Sequence, residues 1–345
     1  MILSRIILFP YWLALRIRNA RYDNGRRKAV QHEVPVISVG NITVGGTGKT
    51  PMVEYLVNWL QEDHRVAVLS RGYNRRSKGF HLVETEDTAS AAGDEPLQIK
   101  RKFPNILVAV DKDRNHAVEQ LLALPEAQRP DIILLDDGFQ YRKLKPATNL
   151  LLVDYNRPVY DDELLPFGRL RDLPEQIRRA DAVIVTKTPT LMDEYERGQM
   201  RRNLHLLPQQ PLFFTSIQYK APQPVFPEQA DMRYLYSKEV LVLTGVADDR
   251  PLLVQLSDSY ERIDHKQYGD HHRFTRRDLK YLSRYVQRNP RALLMTTEKD
   301  AMRLLHADRL DPEVRRRLFC LPIEPAFQTR EEKELFEKIV LHEKE

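Results

Sequence analysis

A glycine-rich segment between an apolar run and a helical segment constrains the fold of this chain more than any other feature. Residues 45–50 are Gly-Gly-Thr-Gly-Lys-Thr; they follow the apolar run 34–39 and precede residues 52–60, whose apolar side chains recur at helical spacing. A strand, a glycine loop and a helix in this order are the context of a phosphate-binding loop. The chain is therefore predicted to contain an α/β domain that binds a nucleotide.

The residues of this loop have distinct predicted roles. Glycines let backbone N–H groups close around phosphate oxygens, and the helix N-terminus adds a partial positive charge. Lys49 would reach the β- and γ-phosphates, and the Thr50 hydroxyl would bind Mg²⁺. The strict pattern requires glycine where this chain has Thr43. The predicted nucleotide-binding residues here are Thr43, Gly45, Gly46, Thr47, Gly48, Lys49 and Thr50.

A simpler interpretation of the loop is a glycine-rich turn between strand and helix that binds no ligand. We favour the phosphate loop, because Lys49 and Thr50 stand at the required offsets in the required context.

Apolar runs alternate with helical segments along most of the chain. Near-continuous apolar runs are typical of parallel strands that are buried on both faces. Their alternation with helices predicts an α/β fold, a doubly wound parallel sheet of the P-loop NTPase type. The predicted buried strands are residues 34–39, 65–70, 106–110, 132–135, 150–153 and 182–185.

A change in composition near residue 213 predicts a second, smaller α/β domain. A predicted strand at 212–217 leads into a proline-rich stretch, and prolines of this kind mark a boundary. Strands at 240–243 and 292–295 and a helix at 275–288 follow. The predicted organisation is an N-terminal helix at 1–20, a nucleotide-binding kinase domain at 21–212, a linker at 213–238 and a smaller domain at 239–345 that closes over the cleft.

The net charge of +5 is concentrated near the N-terminus. Residues 1–30 hold seven Lys and Arg and one acid, a local charge of +6, so the other 315 residues together carry −1. A nucleic-acid binder would spread basic charge over a groove-facing surface, so nucleic acid is not an expected partner. The one cysteine, Cys320, excludes an intramolecular disulfide, and no Cys and His cluster has zinc spacing.

The N-terminal segment is apolar as well as basic. Ile2, Ile6, Phe9, Leu13 and Ile17 recur at helical spacing. The longest uncharged run, residues 6–15, is about half as long as a membrane span requires. Two interpretations remain open on the residues alone: a helix that lies in the interface of the cytoplasmic membrane face, with its arginines on anionic headgroups, and a helix packed on the protein's own core.

Two adjacent aspartates, Asp136 and Asp137, directly follow the predicted strand 132–135. A carboxylate at the carboxyl end of a parallel strand, beside a phosphate loop, is where such folds hold Mg²⁺. The alternative is a solvated turn, which Gly138 would help to form. Because a phosphate loop is also predicted, we favour Thr50, Asp136 and Asp137 as the metal-binding residues.

Phosphoryl transfer to a hydroxyl needs a group that accepts the hydroxyl proton. Asp94, in Gly-Asp-Glu-Pro at 93–96, and His271, in Asp-His-His at 270–272, are candidates. Each has a structural alternative: Asp94 could cap a helix, and residues 270–272 precede the capping-box pattern of residues 275–278. An aspartate of the first domain could meet a histidine of the second when the domains close.

An ordered set of motifs resembles one family closely. The motifs are Ser-Val-Gly-Asn-Ile-Thr-Val-Gly-Gly-Thr-Gly-Lys-Thr-Pro at 38–51, Leu-Ser-Arg-Gly-Tyr at 69–73, Gly-Asp-Glu-Pro at 93–96, Asp-Asp-Gly-Phe-Gln at 136–140, Asp-His-His at 270–272 and Thr-Glu-Lys-Asp at 297–300. The set resembles the tetraacyldisaccharide 4′-kinases of lipid A biosynthesis, and it extends over nearly the whole chain. The threonine at position 43 agrees with the loop of that family.

The resemblance implies a bacterial enzyme that is peripheral to the cytoplasmic face of the inner membrane. It would transfer the γ-phosphate of ATP, with Mg²⁺, to the 4′-hydroxyl of a tetraacyldisaccharide 1-phosphate, giving lipid IVA. Because this substrate is a membrane glycolipid, the resemblance favours the interfacial interpretation of residues 1–20. No obligate protein partner is expected.

The resemblance also implies roles for individual residues. Asp94 would be the general base, with His271 as its dyad partner and Lys49 as a further catalytic residue. Asp136 and Asp137 match the family's Mg²⁺-associated pair. Arg71 matches a loop that lines the same cleft and would contribute to nucleotide binding.

Two positions depart from the family pattern. Tyr141 stands where the family commonly has histidine, and Asp172, in Leu-Arg-Asp at 170–172, stands where it has glutamate. The shorter acid puts a metal contact from position 172 in doubt.

Three other protein classes compete with a kinase. A partitioning-type switch ATPase carries a lysine inside the loop, where this chain has Val44. A GTPase needs an Asn-Lys-x-Asp motif, and residues 186–189, Thr-Lys-Thr-Pro, lack the aspartate. A non-catalytic membrane-binding module would not need the phosphate loop and its acids. ATP turnover without lipid would indicate the switch ATPase, and a preference for guanine nucleotides would indicate the GTPase. No turnover with any acceptor would indicate the membrane-binding module.

Overall fold

Apolar runs form strands and amphipathic segments form helices in this computed structural model, which describes residues 2–73, 75–246, 248–269, 272–305, 307 and 309–342. The strands are β1 Val36–Gly40, β2 Val66–Ser70, β3 His81–Leu82, β4 Leu107–Val110, β5 Ile132–Asp136, β6 Thr148–Asp154, β7 Ala182–Thr186, β8 Leu212–Tyr219, β9 Gln223–Pro224, β10 Glu239–Thr244, β11 Arg262–Gln267, β12 Leu293–Thr297, β13 Leu318–Leu321 and β14 Ile323–Phe327. The helices are α1 Ile2–Asp23, α2 Lys49–Leu60, α3 Ala89–Ala92, α4 Asp94–Lys102, α5 Arg114–Leu122, α6 Glu194–Asn203, α7 Arg250–Ser257, α8 Arg276–Arg288, α9 Glu298–Leu305, α10 Pro312–Arg317 and α11 Arg330–Leu341. Short 3₁₀ helices lie at Glu126–Gln128, Val159–Asp161, Pro174–Arg179 and Met232–Tyr236.

The larger sheet has the strand order β14-β8-β7-β6-β1-β5-β2-β4-β3. From β4 to β8 its paired neighbours are parallel, and β3 is antiparallel to β4. Strand β1 lies between β5 and β6. Strands β5, β2 and β4 lie on one side of it, and β6, β7 and β8 lie on the other, so the direction in which strands are added reverses at β1. Ligands bind at such a point, outside the carboxyl ends of the strands. The predicted doubly wound α/β sheet is confirmed, and its switch point is the end of β1.

The second sheet has the order β11-β10-β12-β13-β9. Strands β10, β11, β12 and β13 pair in parallel, and β9 is an antiparallel edge strand. Apolar clusters cover both of its faces: one includes Leu282 of α8, and the other includes Leu252 of α7. The predicted smaller α/β domain therefore has its own sheet and core.

The two compact units of the structure have bounds that differ from those of the predicted domains. The larger unit comprises Met1–Ile217 and Pro325–Glu345, and the smaller comprises Gln218–Glu324. The C-terminal segment belongs to the larger unit because Phe336 and Val340 of α11 are buried in the cluster that includes Ile37 of β1. Within the predicted linker 213–238, residues up to Tyr219 continue β8, and β9 pairs with β13.

Helix α1 packs on the larger unit through one side and exposes an apolar opposite side. Leu8 and Leu15 are buried with residues of that unit, whereas Phe9, Leu13 and Ile17 are exposed. The exposed residues belong to the predicted helical stripe. Among the described helices, none combines the length and the apolar character needed to cross a bilayer.

Candidate active site

The phosphate loop occupies the switch point of the larger sheet. Strand β1 ends at Gly40, and helix α2 begins at Lys49. The φ angles of Gly45 and Gly48 are +110° and +82°, backbone conformations that favour glycine over any residue with a Cβ. Thr50 is buried in the first turn of α2. The predicted residues from position 43 to position 50 thus form one loop that opens a helix, as phosphate binding requires.

Asn41 holds the loop together from its buried side. Its side-chain amide donates to Thr47 Oγ1 at 2.7 Å, and its carbonyl oxygen accepts a hydrogen bond from Arg171. Its backbone carbonyl accepts from the side chain of Gln140, which follows β5. A buried amide satisfied in this way resists rearrangement, because breaking any of these bonds would leave a polar group unpaired. Asn41 therefore links the phosphate loop to the segment after β5.

Asp137 lies within reach of the loop lysine and is held by an arginine. Arg171 donates to both of its carboxylate oxygens, at 2.9 and 2.7 Å, and the Lys49 ammonium lies 3.7 Å from Oδ1. Burial alone would raise the pKa of Asp137, but the Arg171 hydrogen bond and the charges of Lys49, Arg171 and Arg114 outweigh it and lower that pKa to about 2. Asp137 is therefore an anion that keeps cations in place around the loop.

Asp136 occupies a different position from its neighbour. It is the last residue of β5, it is buried, and it lies opposite Val39 of β1 in the strand register. The φ angle of Asp137, +52°, turns the chain away from the strand immediately afterwards. Asp136 therefore belongs to the strand, whereas Asp137 belongs to the turn that follows it.

The donor set near the loop fits Mg²⁺ in part. Mg²⁺ takes oxygen ligands and usually keeps several waters and substrate phosphates, so a hydroxyl and one carboxylate suffice from the protein. Thr50 and Asp136, both buried, would be those two groups, and their metal role stays a prediction; Asp137 is bound by Arg171. No group of three or more His, Cys, Asp and Glu side chains within the described residues is arranged for a protein-only metal site.

Asp94 begins α4 beside the loop that follows β2. A Cβ on Gly93 would lie 3.3 Å from the Tyr73 carbonyl oxygen and 3.4 Å from Gly72 Cα, so the Ser-Arg-Gly-Tyr loop passes against this helix end. The residue at the N-cap is Gly93, without a side-chain capping bond, and Asp94 is the first helical residue. Asp94 is exposed, and its side chain has no hydrogen bond or ion pair with the residues described. It is therefore open to solvent rather than used as a cap.

His271, the predicted partner of Asp94, lies outside the described residues, as does Asp270. The neighbouring His272 is described: its Nε2 lies 2.9 Å from Asp278 Oδ2, and its ring stacks on Tyr268. Thr275 and Asp278 form the capping box of α8 that the sequence predicted. The pairing of Asp94 with His271 stays a prediction.

Arg71 and a buried arginine lie near the two aspartates. Arg71 is exposed directly after β2, and Arg114, at the start of α5, is buried. Burial lowers the pKa of Arg114 and the charge of Arg71 adds to this shift, whereas Asp137 and Asp136 oppose it. Each of these three charges therefore lies close enough to Arg114 to interact with it. Arg71 therefore interacts with a residue that also interacts with the two aspartates, and its part in nucleotide binding stays a prediction.

Several residues of this region were not predicted as site residues. Lys187, directly after β7, pairs with Asp154 at 2.6 Å and donates to the Gly46 carbonyl, while Thr186 Oγ1 donates to the Thr47 carbonyl at 3.0 Å. Their position at the carboxyl ends of β6 and β7 could have identified them. Arg114 and Arg171 follow no strand directly, and only the folded chain brings them to the site.

Both departures from the family pattern have structural partners. The Tyr141 hydroxyl donates to Asp113 at 2.8 Å, and burial followed by this bond raises the pKa of Tyr141 to about 12. Asp172 is fully buried and accepts hydrogen bonds from Arg18, at 2.6 Å, and Asn19, at 2.8 Å. Asp172 therefore anchors α1 rather than facing the phosphate loop.

Comparison with known proteins finds one family over nearly the whole chain. The family model described as "Tetraacyldisaccharide-1-P 4'-kinase" matches residues 2–341. Tetraacyldisaccharide 4'-kinase of Parabacteroides distasonis is 42% identical over 340 residues, 97% of this chain and 92% of that protein. The enzyme of the same name from Porphyromonas gingivalis is 39% identical over 336 residues, 96% of this chain and 94% of that protein.

A solved structure is similar over the same extent. The crystal structure of LpxK from Aquifex aeolicus in complex with ATP has 30% sequence identity and a TM-score of 0.71, and the similarity covers 98% of this chain and 99% of that one.

Proposed function

This chain belongs to the tetraacyldisaccharide-1-P 4'-kinase family, and we propose that it transfers the γ-phosphate of ATP to the 4′-hydroxyl of a tetraacyldisaccharide 1-phosphate, giving lipid IVA. It is an ATP-dependent lipid kinase of lipid A biosynthesis. The observation that carries this function is the match to this family over residues 2–341. The phosphate loop from Gly45 to Thr50 is intact and fits the transfer of a phosphoryl group from ATP. A membrane switch ATPase is not favoured, because that match extends over both units.

The phosphate loop binds the triphosphate of ATP. Its backbone N–H groups and the N-terminus of α2 receive phosphate oxygens, and Lys49 neutralises charge that develops as the γ-phosphoryl group leaves. Arg171 keeps Asp137 ionised, and the negative charge of Asp137 holds the Lys49 ammonium near the loop. Thr50 and Asp136 would hold Mg²⁺, which when bound neutralises charge on the β- and γ-phosphate oxygens.

Asp94 accepts the proton of the attacking 4′-hydroxyl. Three observations support this role: it is exposed, it has no partner among the described residues, and it lies at a helix end packed against the Arg71 loop. A base without a competing partner is available for the acceptor hydroxyl. The family resemblance assigns His271 to orient Asp94, and this pairing and the closure of the smaller domain that would produce it remain predictions.

Helix α1 holds the protein on the membrane that contains the glycolipid. Phe9, Leu13 and Ile17 form an exposed apolar stripe, and Arg16 lies over the Trp12 ring at 5.0 Å. An amphipathic helix with aromatic and basic side chains lies in the plane of a bilayer interface, with arginines on anionic headgroups. We place the enzyme peripherally on the cytoplasmic face of the inner membrane, where ATP is present, with no nucleic acid and no obligate protein partner.

Transfer of labelled phosphate from ATP to a tetraacylated disaccharide 1-phosphate in detergent micelles tests this function. The wild type should label the lipid, and Lys49→Ala should lower the rate on the order of 10²- to 10³-fold. Lys238→Ala is the matched control, because Lys238 is exposed, lies in the smaller unit and has no side-chain partner among the described residues. ATP hydrolysis without lipid labelling would overturn the proposal and indicate a switch ATPase.

A further inference from the structure

Helix α8 of the smaller unit has one buried apolar side and one exposed basic side. Leu279, Leu282 and Val286 are buried in an apolar cluster under the second sheet. Residues three and four positions apart lie on the same side of a helix. At that spacing, on the side opposite the buried leucines, the helix exposes Arg277, Lys280, Arg284 and Arg288, which we call the basic face.

The charge of the basic face is not compensated within the described part of the chain. None of its four cations forms an ion pair or a hydrogen bond with a described residue. Other arginines of the same unit are paired, as Arg303 is with Asp300 and Arg317 with Glu313. Four cations spaced along three helical turns repel one another, so an anionic partner would lower the free energy of this surface.

An acid beside this helix is already paired. Asp264 accepts hydrogen bonds from the Tyr285 hydroxyl at 2.6 Å and from Arg262 at 2.8 Å. A groove of about 560 Å³ runs beside the helix; the residues that line it are Arg277, Lys280, Tyr281, Arg284, Tyr285, Arg288 and Asn289. The cations, the Tyr281 hydroxyl and the Asn289 amide of this groove can bind phosphate oxygens, and the tyrosine rings suit the boundary between headgroups and acyl chains.

We propose that the basic face of α8 docks onto an anionic phospholipid surface. This inference rests on the proposed function, which brings the protein to a bilayer that contains its glycolipid substrate. A lipid surface is favoured over a nucleic acid because the negative charge of a bilayer is spread over a plane, which matches cations in a row along one side of a straight helix. The contact is separate from α1, which belongs to the larger unit, so each unit has a membrane contact of its own.

The expected strength of this contact follows from the number of charges. Each Lys or Arg close to an anionic membrane surface raises the binding constant about fivefold, so two such residues account for on the order of 25-fold. The attraction is screened within about 8 Å at physiological salt. The contribution of the basic face should therefore disappear at high ionic strength, whereas the apolar contribution of α1 should remain.

The test measures co-sedimentation of the full chain with phosphatidylcholine vesicles that contain or lack phosphatidylglycerol. The variant is Arg277→Gln/Arg284→Gln, which removes two exposed charges without breaking a bond to a described residue. Its matched control is Lys238→Gln/Arg309→Gln, two exposed cations of the same unit with the same change in net charge. We expect the variant to bind anionic vesicles on the order of 25-fold more weakly than the control, and to bind neutral vesicles equally well.

Equal binding of variant and control to anionic vesicles would overturn the proposal. So would a larger loss of affinity for a short single-stranded oligonucleotide than for the vesicles, because that result would assign the basic face to nucleic acid. Kinase activity of the wild type in detergent micelles is measured in parallel. If it is present while the vesicle result is negative, the inference fails alone; if it is absent, the proposed function fails independently of vesicle binding.

Discussion

The larger and smaller units both place aspartates at the carboxyl ends of parallel strands, but they use them differently. In the smaller unit, Asp300 is fully buried and accepts hydrogen bonds at 2.8 Å from the Gly245 N–H, from Thr297 and from Arg303. In the larger unit, Asp137 keeps 35% of its side chain exposed and shares its charge between Arg171 and the more distant Lys49. Asp300 therefore stabilises the smaller unit, whereas Asp137 interacts with the cations around the phosphate loop.

The second difference is the balance of charge around those aspartates. Several cations lie in the region of the phosphate loop; they are Lys49, Arg71, Arg114, Arg171 and Lys187. Cations near a helix N-terminus favour a polyanion such as a triphosphate. Two α/β sheets in one chain can therefore have separate roles, because function depends on the loops and charges at the strand ends rather than on the sheet.

Among the changes that test this comparison, removal of the buried acid of the smaller unit should have the largest effect, and the effect should be on stability. Asp300→Ala leaves the Arg303 charge and the Gly245 N–H without their buried partner, so the free energy of unfolding of that unit should fall by about 3 kcal/mol. Urea unfolding or limited proteolysis measures this loss. Asp258→Ala, an exposed acid of the same unit, is the control; equal stability of the two variants would remove the distinction drawn between Asp300 and Asp137.

Removal of the proposed base should have a smaller effect, and on rate rather than on stability. Asp94→Ala should lower kcat on the order of 10²-fold, because the acceptor hydroxyl then has no group to take its proton. The KM for ATP should stay unchanged, since no described nucleotide-loop residue contacts Asp94. Steady-state kinetics give both kcat and the KM for ATP. The control is Asp63→Ala, which removes an exposed acid of the same unit. Retention of most activity would exclude Asp94 as the base.

The smallest expected effect concerns the acid sensitivity of the larger unit. The pKa of Asp137 is lowered from 3.8 to about 2, so the ionised carboxylate contributes stability above its unfolded pKa and loses it as the pH falls through that interval. Because the side chain is partly exposed, the loss should be on the order of 1 kcal/mol between about pH 4 and pH 2. Urea midpoints of the wild type should decrease over that range more than those of Asp137→Asn; an equal decrease would contradict the role given to Arg171 and Lys49.

Strands and local motifs were predictable because their determinants are close together in the sequence. The run at 132–135 became β5, Ile132–Asp136, and the run at 182–185 became β7, Ala182–Thr186. Continuous burial on both faces selects Val, Ile and Leu, and the first polar residue ends the strand. The phosphate loop was predictable for the same reason, since its glycines and Lys49 are neighbours in the chain.

Residues that meet through the fold were not predictable in this way. The C-terminal segment was assigned to the smaller domain, yet Phe336 and Val340 complete the core of the larger unit. The predicted linker at 213–238 contains the end of β8 and the edge strand β9. No local pattern distinguishes a segment that crosses between domains from one that returns to the first, because the difference lies in long-range packing.

The sequence by itself determined the phosphate loop, the parallel α/β class and the family, since each depends on residue types at short spacing or on their order along the chain. The tertiary structure decided which charges surround the loop. It brought Arg171 to Asp137 across 34 positions and Lys187 to Gly46 across 141, and it turned Asp172 toward α1 instead. Such contacts form only when the sheet is assembled, because burial, and not the local sequence, determines which opposite charges come close enough to pair.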